Sequence, residues 1–257
     1  MASTNTGNVS HSGGEVSKAI RFVPLENNPE VMSSLVHKLG LSSELSWHDV
    51  YSLDDPSLLA FVPRPAHALL LVFPVSSAYE TARKEEDSSL PDYTGTGYEE
   101  EVLWFKQTIG NACGLMGLIH ATCNGMTRDL IAPSTPLSQL ITEAIPLDPP
   151  SRAKLIESSN DLATAHASAA AEGDTAAPAA EDSIDLHYVA FVKSAKGNLW
   201  ELDGQRKGPL NRGKLGENDD ILSENAVELG PKRFLKREEE IGGGEMRFSM
   251  LALGPGF

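Results

Sequence analysis

The sequence of 257 residues carries 21 lysine and arginine side chains against 36 aspartate and glutamate side chains, a formal net charge of −15. An acidic chain of this kind repels nucleic-acid phosphates, so we exclude nucleic-acid binding. On charge alone, plain solubility is the first explanation and a basic partner is the alternative. With 40% hydrophobic residues the chain can bury a sizeable core, yet it has no run of roughly 20 apolar residues that could cross a membrane.

The first third of the chain predicts a disordered tail, one helix and one buried strand. Residues 1–18 are rich in serine, glycine and asparagine and predict the tail. Asn28 is a good helix N-cap and Gly40 is a good residue to follow a helix end, so we expect a helix between them. The continuous apolar run of residues 68–75 predicts a strand that is buried on both faces.

The middle of the chain predicts helices and one long loop. The charged stretch 76–101 predicts a loop with some helix, and the almost wholly apolar stretch at about residues 111–124 predicts a central, buried helix. Shorter helices are predicted at residues 137–145 and 151–158. Residues 158–183 are rich in alanine and small polar residues, so we expect a long, mobile surface loop with a helical start, and a linker between two domains is the alternative.

The last third of the chain predicts mostly strands. Residues 187–192 and 199–203 predict a β-hairpin, residues 227–240 a charged helix, and residues 248–253 a final strand. Because these strands and helices interleave and too few residues follow the predicted loop to form a second domain, we expect one α/β domain at residues 19–257.

Cys113 and Cys123 are the two cysteines of the chain, ten positions apart on one predicted helix and hence roughly 15 Å apart along its axis. A disulfide needs Cα atoms within about 7 Å, so we expect two free thiols in a reducing compartment. The sequence therefore predicts a cytoplasmic protein, with the nucleus left open as a second compartment. It shows no Cys/His spacing typical of a metal site, and we expect no metal or other cofactor.

Cys113 is the candidate nucleophile. If Asn111 caps the helix, Cys113 lies in its first turn, where unpaired N–H groups and the positive end of the helix dipole stabilise a thiolate. On position alone, a buried structural cysteine is the alternative, and Cys123, among apolar neighbours, is expected in the core.

His187 and Asp203 are the candidate base and orienting acid. His120 lies on the helix of Cys113 but about 10 Å further along its axis, which places it out of reach. If the predicted hairpin is centred on Ala195, His187 and Asp203 lie directly opposite each other, with Cβ atoms about 5 Å apart. Spacing alone is equally consistent with a polar pair at a strand end.

Gln107 stands six residues before Cys113, where its side-chain amide can point at an oxyanion. The backbone N–H of Cys113 would be the second donor, because the first amides of a helix have no partner within it. Together with His187 and Asp203, these residues have the roles of a papain-like thiol hydrolase.

The segment KQTIGNACGLMGLIHA, residues 106–121, resembles the active-site signature of the ubiquitin C-terminal hydrolase family. Further segments resemble other blocks of that family in the same order: residues 24–32, 49–65, 68–74 and 186–213. The resemblance implies a papain-like α/β/α domain with a central, mostly antiparallel sheet flanked by helices and a knotted backbone. It also implies the roles of four residues: nucleophile Cys113, general base His187, orienting acid Asp203 and oxyanion-hole glutamine Gln107.

The resemblance implies a deubiquitinating cysteine peptidase that cuts after the C-terminal glycine of ubiquitin. A segment that contacts ubiquitin in relatives matches six residues here: Pro24, Leu25, Glu26, Asn27, Asn28 and Pro29. The stretch 166–178 matches a segment that crosses over the active-site cleft, so we expect small adducts or short peptides as leaving groups. A NEDD8-directed hydrolase and a ubiquitin-binding module with little turnover are the alternatives. We expect a monomer.

Overall fold

The computed structural model of the protein describes residues 20–174, 178–182, 185–241 and 247–256. Its strands are β1 (Leu45–Asp49), β2 (Ala68–Pro74), β3 (Leu186–Lys193), β4 (Asn198–Leu202), β5 (Leu210–Lys214) and β6 (Ser249–Pro255). Within the described residues they form one sheet in the order β1-β6-β2-β3-β4-β5, in which every neighbouring pair is antiparallel. The predicted disordered tail at residues 1–18 lies outside the described residues.

Helices cover both faces of the sheet and give the expected α/β/α layers. They are α1 (Pro29–Leu39), α2 (Pro56–Leu59), α3 (Ser77–Ser88), α4 (Cys113–Thr122), α5 (Pro136–Ala144), α6 (Pro149–Glu157), α7 (Asn160–Ala170), α8 (Glu224–Leu229) and α9 (Lys232–Ile241). No helix in these described parts of the chain is long and apolar enough to cross a membrane.

The central strand β2 explains the layered core, because all seven of its residues are buried. Side chains alternate along a strand, so Leu70 and Val72 join the apolar residues of α1 and α4 on one face. Leu71 and Phe73 point to the other face, where Phe234 of α9 packs against Phe73. The strand is therefore buried on both faces, as its continuous apolar run predicted.

The capping signals of α1 are confirmed. The Asn28 side chain accepts hydrogen bonds from the N–H groups of Glu30 and Val31, at 2.9 and 3.2 Å. Gly40 follows the helix with φ = 116°, a left-handed conformation that glycine adopts without strain. The helix therefore begins and ends where the sequence predicted.

Two other helices differ from their predicted bounds. The helix predicted at about residues 111–124 is the shorter α4, and residues 125–130 form a 3₁₀ turn after it. The charged helix predicted within residues 227–240 is α9, and the stretch also takes in the end of α8, which is separated from α9 at Gly230 and Pro231. Glycine and proline are poor residues for a helix interior, which accounts for the break.

The stretch predicted as a loop at residues 158–183 begins as helix α7. Its alanine-rich sequence favours a helix, and the Ser159 hydroxyl caps it by accepting the N–H of Leu162 at 3.3 Å. Leu162 and Ala169 are buried, and α7 packs along α1. The predicted helical start is therefore present, it extends to Ala170, and it packs against the domain.

Candidate active site

His187 and Asp203 form a buried pair, in which Nε2 of His187 donates to Oδ1 of Asp203 at 2.8 Å. The predicted hairpin centre at Ala195 is wrong, since Ala190 pairs with Leu202. In this register Asp203 is displaced by two residues from the position opposite His187. Residues that are two positions apart on a strand share a face, so the two side chains still meet diagonally.

Three donors hold the Asp203 carboxylate. His187 binds one oxygen together with the N–H of Gln205 at 2.8 Å, and the hydroxyl of Tyr79 donates to the other oxygen at 3.1 Å. Burial alone would raise the pKa of Asp203, but His187 and the two further donors outweigh it and lower that pKa. Asp203 is therefore a fixed, ionised acceptor for the imidazole.

Cys113 is the first residue of α4 and is half-buried. Its side chain lies beside His187 and contributes to the raised pKa of that imidazole. Burial opposes a charged imidazole, but the Asp203 charge and the contacts with Asp203 and Cys113 outweigh it and raise the pKa of His187. His187 therefore lies between the Asp203 carboxylate, to which it is hydrogen-bonded, and the side chain of Cys113.

Asn111 does not cap α4, contrary to the prediction. Its backbone has φ = 57°, in the left-handed region, and Ala112 occupies the cap position without a side-chain bond to the helix. The Asn111 side-chain amide instead donates to the carbonyl oxygens of Ala180 and Asp182, at 2.9 and 3.2 Å. With no capping side chain in the described part of the chain, the first N–H groups of α4 are left for a ligand.

Gln107 lines the same cavity as Cys113, which has a volume of about 520 Å³. Its Nε2 donates to the carbonyl of Ile109 at 3.1 Å, which leaves its second amide hydrogen for a ligand. The backbone N–H of Gln107 donates to the carbonyl of Gly204 at 2.9 Å. A Cβ at position 204 would lie 2.9 Å from the Gln107 Cβ, so glycine is needed for this close approach.

His120 and Asn124, near the end of α4, position the segment that leads to Gln107. His120 is buried and accepts the N–H of Phe105 at 3.0 Å, and burial lowers its pKa to about 4. Asn124 accepts the N–H of Leu103 at 2.7 Å and donates to the carbonyl of the same residue at 2.9 Å. His120 is thus a neutral support and not a base, and sequence reasoning assigned neither residue this role.

The sequence matches known hydrolases over most of its length. The sequence model of the family described as ubiquitin carboxyl-terminal hydrolase, family 1, matches residues 22–234. A ubiquitin carboxyl-terminal hydrolase of Aplysia californica is 38% identical over 221 residues, which span 86% of this chain and 98% of that protein. The chain belongs to this family. Ubiquitin carboxyl-terminal hydrolase isozyme L1 of Homo sapiens is 34% identical to this chain over 234 residues, which span 91% of this chain and 98% of that protein.

The hydrolase shares its fold with solved structures of Trichinella spiralis UCH37 bound to ubiquitin vinyl methyl ester. The catalytic domain matches with a TM-score of 0.68 at 21% identity, over 91% of this chain and 95% of that chain. A second structure matches with a TM-score of 0.63 at 20% identity, over 91% of this chain and 81% of that chain. The predicted antiparallel sheet flanked by helices is confirmed. Family membership makes the chain a cysteine-type deubiquitinating peptidase.

The segment predicted to contact ubiquitin divides into two parts. Four of its residues line the cavity: Pro24, Leu25, Glu26 and Asn27. Asn28 and Pro29 instead form the start of α1, as its cap and its first residue. The Asn27 side-chain amide donates to the Ser249 hydroxyl at 2.5 Å, which ties the first part to β6.

Another part of the cavity wall comes from the stretch matched to the crossing segment, through Ala170, Gly173 and Pro178. His166, where that stretch begins, lies in α7 and donates from Nε2 to the carbonyl of Val23 at 2.7 Å. Burial lowers the pKa of His166, so the ring is a neutral donor. The stretch therefore begins as a packed helix, and its later residues border the cavity.

Tyr79 is a functional residue that sequence reasoning missed. It lies in α3, where the Ser76 hydroxyl caps the helix by accepting the N–H of Tyr79 at 3.0 Å. Its ring contacts Phe73 edge-on and stacks with Phe234, and the hydroxyl reaches Asp203 from this position. A serine followed by helix-forming residues was the available signal for α3, but no pattern marked the tyrosine itself.

Cys123 lies in the core, as expected, and both cysteines are free. Burial raises the pKa of the Cys123 thiol to about 12, so this thiol is protonated at neutral pH and does not compete as a nucleophile. No group of three or more His, Cys, Asp or Glu side chains among the described residues is arranged to hold a metal ion.

Proposed function

We propose that this hydrolase releases small adducts or short peptides from the C-terminal glycine of ubiquitin, with Cys113 as the nucleophile. The observation that carries the proposal is the buried Asp203–His187 hydrogen bond beside Cys113, at the wall of a cavity of about 520 Å³. A hydrogen-bonded acid, base and nucleophile is the arrangement that thiol hydrolases use.

The first half of the reaction forms a thioester. His187 accepts the Cys113 proton, the sulfur bonds to the glycine carbonyl carbon, and the carbonyl electron pair moves to oxygen. The second amide hydrogen of Gln107 and the N–H of Cys113 donate to this oxyanion, and a donor of this kind contributes about 3 kcal/mol. The tetrahedral intermediate then expels the leaving amine or thiol, which takes its proton from His187.

The second half of the reaction restores the enzyme. His187 removes a proton from water, the resulting hydroxide attacks the thioester, and collapse releases the ubiquitin carboxylate and the Cys113 thiolate. Asp203 holds the ring in one orientation and stabilises its charged form in both halves, because it is buried and ionised.

Two observations support ubiquitin as the substrate and small groups as the leaving groups. The cavity has walls from residues 24–27 and from Ala170, Gly173 and Pro178, so a leaving group must fit between them. The net charge of −15 complements the basic tail and binding face of ubiquitin. We also propose that the hydrolase is a cytoplasmic monomer and prefers ubiquitin to NEDD8. Competition between ubiquitin and NEDD8 substrates at equal concentration measures this preference directly.

Release of a fluorescent amine from the C-terminus of ubiquitin tests the proposed function. We expect the wild type and the control variant Cys123→Ala to turn over, and Cys113→Ala to lose at least about 10³-fold in kcat while still binding ubiquitin. Turnover by Cys113→Ala would contradict the assignment. A wild type that binds ubiquitin without cleavage would favour the binding-module alternative.

A further inference from the structure

Asn111 joins the helix of the nucleophile to a turn beside the cavity, and the proposed mechanism makes no use of it. Its side-chain amide donates to the carbonyl oxygens of Ala180 and Asp182, at 2.9 and 3.2 Å. Asn111 and Pro178, at the start of that turn, both line the cavity that contains Cys113. The contact therefore lies where a leaving group has to pass.

Residues 178–182, here called the cavity turn, are closed by their own hydrogen bonds. The Asp182 carboxylate accepts the N–H of Ala179 at 2.9 Å, and the N–H of Asp182 donates to the carbonyl of Ala179 at 3.0 Å. Because these two hydrogen bonds join Ala179 to Asp182, we expect the residues of the cavity turn to move together. Two bonds from Asn111 are then enough to fix the position of the whole cavity turn.

Asn111 itself is held rigidly by its neighbours. Gly110 donates to the carbonyl of Ile20 and accepts the N–H of Phe22, both at 2.9 Å. On the other side, the carbonyl of Ala112 accepts the first hydrogen bond of α4. Asparagine tolerates the left-handed φ of 57° better than most residues, so the position can offer a fixed amide at this point.

The contacts between the end of α7 and α1 are weaker restraints. Glu172 pairs with Lys38 at 2.5 Å, but their side chains are 40% and 43% exposed. Asn28 donates to Asp174 at 3.2 Å in an exposed contact. Exposed pairs of this kind contribute little to stability, whereas the Asn111 contact with Ala180 is partly buried at the cavity wall; its contact with Asp182 is exposed as well.

We propose that Asn111 is a positioning residue that holds the cavity turn in place and thereby limits the size of the leaving group. The proposal rests on the hydrolase function proposed above. A leaving group bonded to the glycine at Cys113 must lie beside Pro178, so a fixed turn excludes bulky groups. Release of the turn from Asn111 widens this passage without changing Cys113, His187 or Asp203.

Two substitutions at position 111 separate the loss of the side-chain hydrogen bonds from any strain caused by the left-handed φ at this position. Asn111→Asp keeps the shape and the tolerance for left-handed φ, but a carboxylate cannot donate to carbonyl oxygens. Asn111→Gly removes the side chain and adopts the same φ without strain. Asn225→Asp is the matched control, because it adds the same charge on α8, where the Asn225 amide donates to the carbonyl of Lys214 at 3.3 Å.

Each protein is assayed on ubiquitin carrying a fluorescent amine and on ubiquitin fused at its C-terminus to a folded domain. We expect the ratio of kcat/KM for the fusion to that for the amine to rise about tenfold in both Asn111 variants, because two hydrogen bonds are lost. The ratio stays at the wild-type value in Asn225→Asp.

An unchanged ratio, or an equal loss on both substrates, would overturn the role of Asn111 and leave the hydrolase function standing. A wild type that fails to release even the fluorescent amine would instead show that the proposed function is wrong. The two failures are therefore distinguishable in one set of assays.

Discussion

At the scale of single residues, the orientation of His187 depends on how firmly Asp203 is held. One carboxylate oxygen binds His187 and the N–H of Gln205, and the other accepts the hydroxyl of Tyr79. Both oxygens are thereby fixed, so the imidazole presents its second nitrogen to Cys113 in one orientation. Tyr79 thus acts on the chemistry through Asp203 and without a contact to the sulfur.

Replacement of Tyr79 by Phe removes this hydroxyl and keeps the buried ring. The Tyr79 hydrogen bond lowers the pKa of Asp203, so its loss raises that pKa and Asp203 becomes protonated at higher pH. We expect the acid limb of the kcat/KM profile to move to higher pH, and kcat at neutral pH to fall about fivefold. Tyr98→Phe, at a tyrosine that is 83% exposed, is the control. A wild-type rate and pH profile in Tyr79→Phe would show that the contact does not position the acid.

Three of the four candidate catalytic residues lie at or near the end of an element, where local sequence signals are clearest. Cys113 begins α4, and His187 and Asp203 lie at matching ends of two neighbouring strands. Their contact survives the wrong register because an error of two positions keeps a residue on the same face. Tyr79 reaches Asp203 across the fold, and Asn124 bonds the backbone of Leu103, 21 residues before it; such non-local contacts leave no periodic pattern in the sequence.

At the scale of elements, α7 shows how far the predicted helical start of residues 158–183 extends. Its alanine and small polar residues resemble a mobile loop, yet Leu162, His166 and Ala169 recur at helical spacing and are buried. Burial of His166 is tolerated because its ring donates to the carbonyl of Val23. A narrow buried stripe is therefore enough to hold an alanine-rich helix against α1.

Leu162→Ala tests whether α7 is a packed helix. Leu162 is 1% exposed, so its truncation should lower the free energy of unfolding by about 3 kcal/mol. Thr164→Ala, at an exposed position of the same helix, should change it by less than about 0.5 kcal/mol. Urea unfolding of both variants measures the difference. If both changes were near zero, α7 would not be packed against the domain.

The two edge strands of the sheet, β1 and β5, were not predicted from the sequence. β1 and β5 have five residues each and carry little local signal. β1 is held by β6 from the other end of the chain, with Leu45 opposite Pro255. Pairings over such sequence separations depend on the packed core, so the order of the sheet could come only from the family resemblance or from the structure.

At the scale of the whole molecule, the cavity is assembled from distant parts of the chain. Residues 24–27 come from its beginning, Cys113 from its middle, and Tyr188 and Ser249 from its last third. No single segment can build this site, so the whole domain must fold before the nucleophile meets its base. The net charge of −15 favours association of the whole molecule with a basic partner.

The most direct test of the account is the site of covalent capture by ubiquitin vinyl methyl ester, located by peptide mass spectrometry. The account predicts one adduct, on Cys113, and none on Cys123, whose buried thiol has a pKa of about 12. Capture at another residue, or binding of ubiquitin without any adduct, would contradict the assignment of Cys113 as the nucleophile.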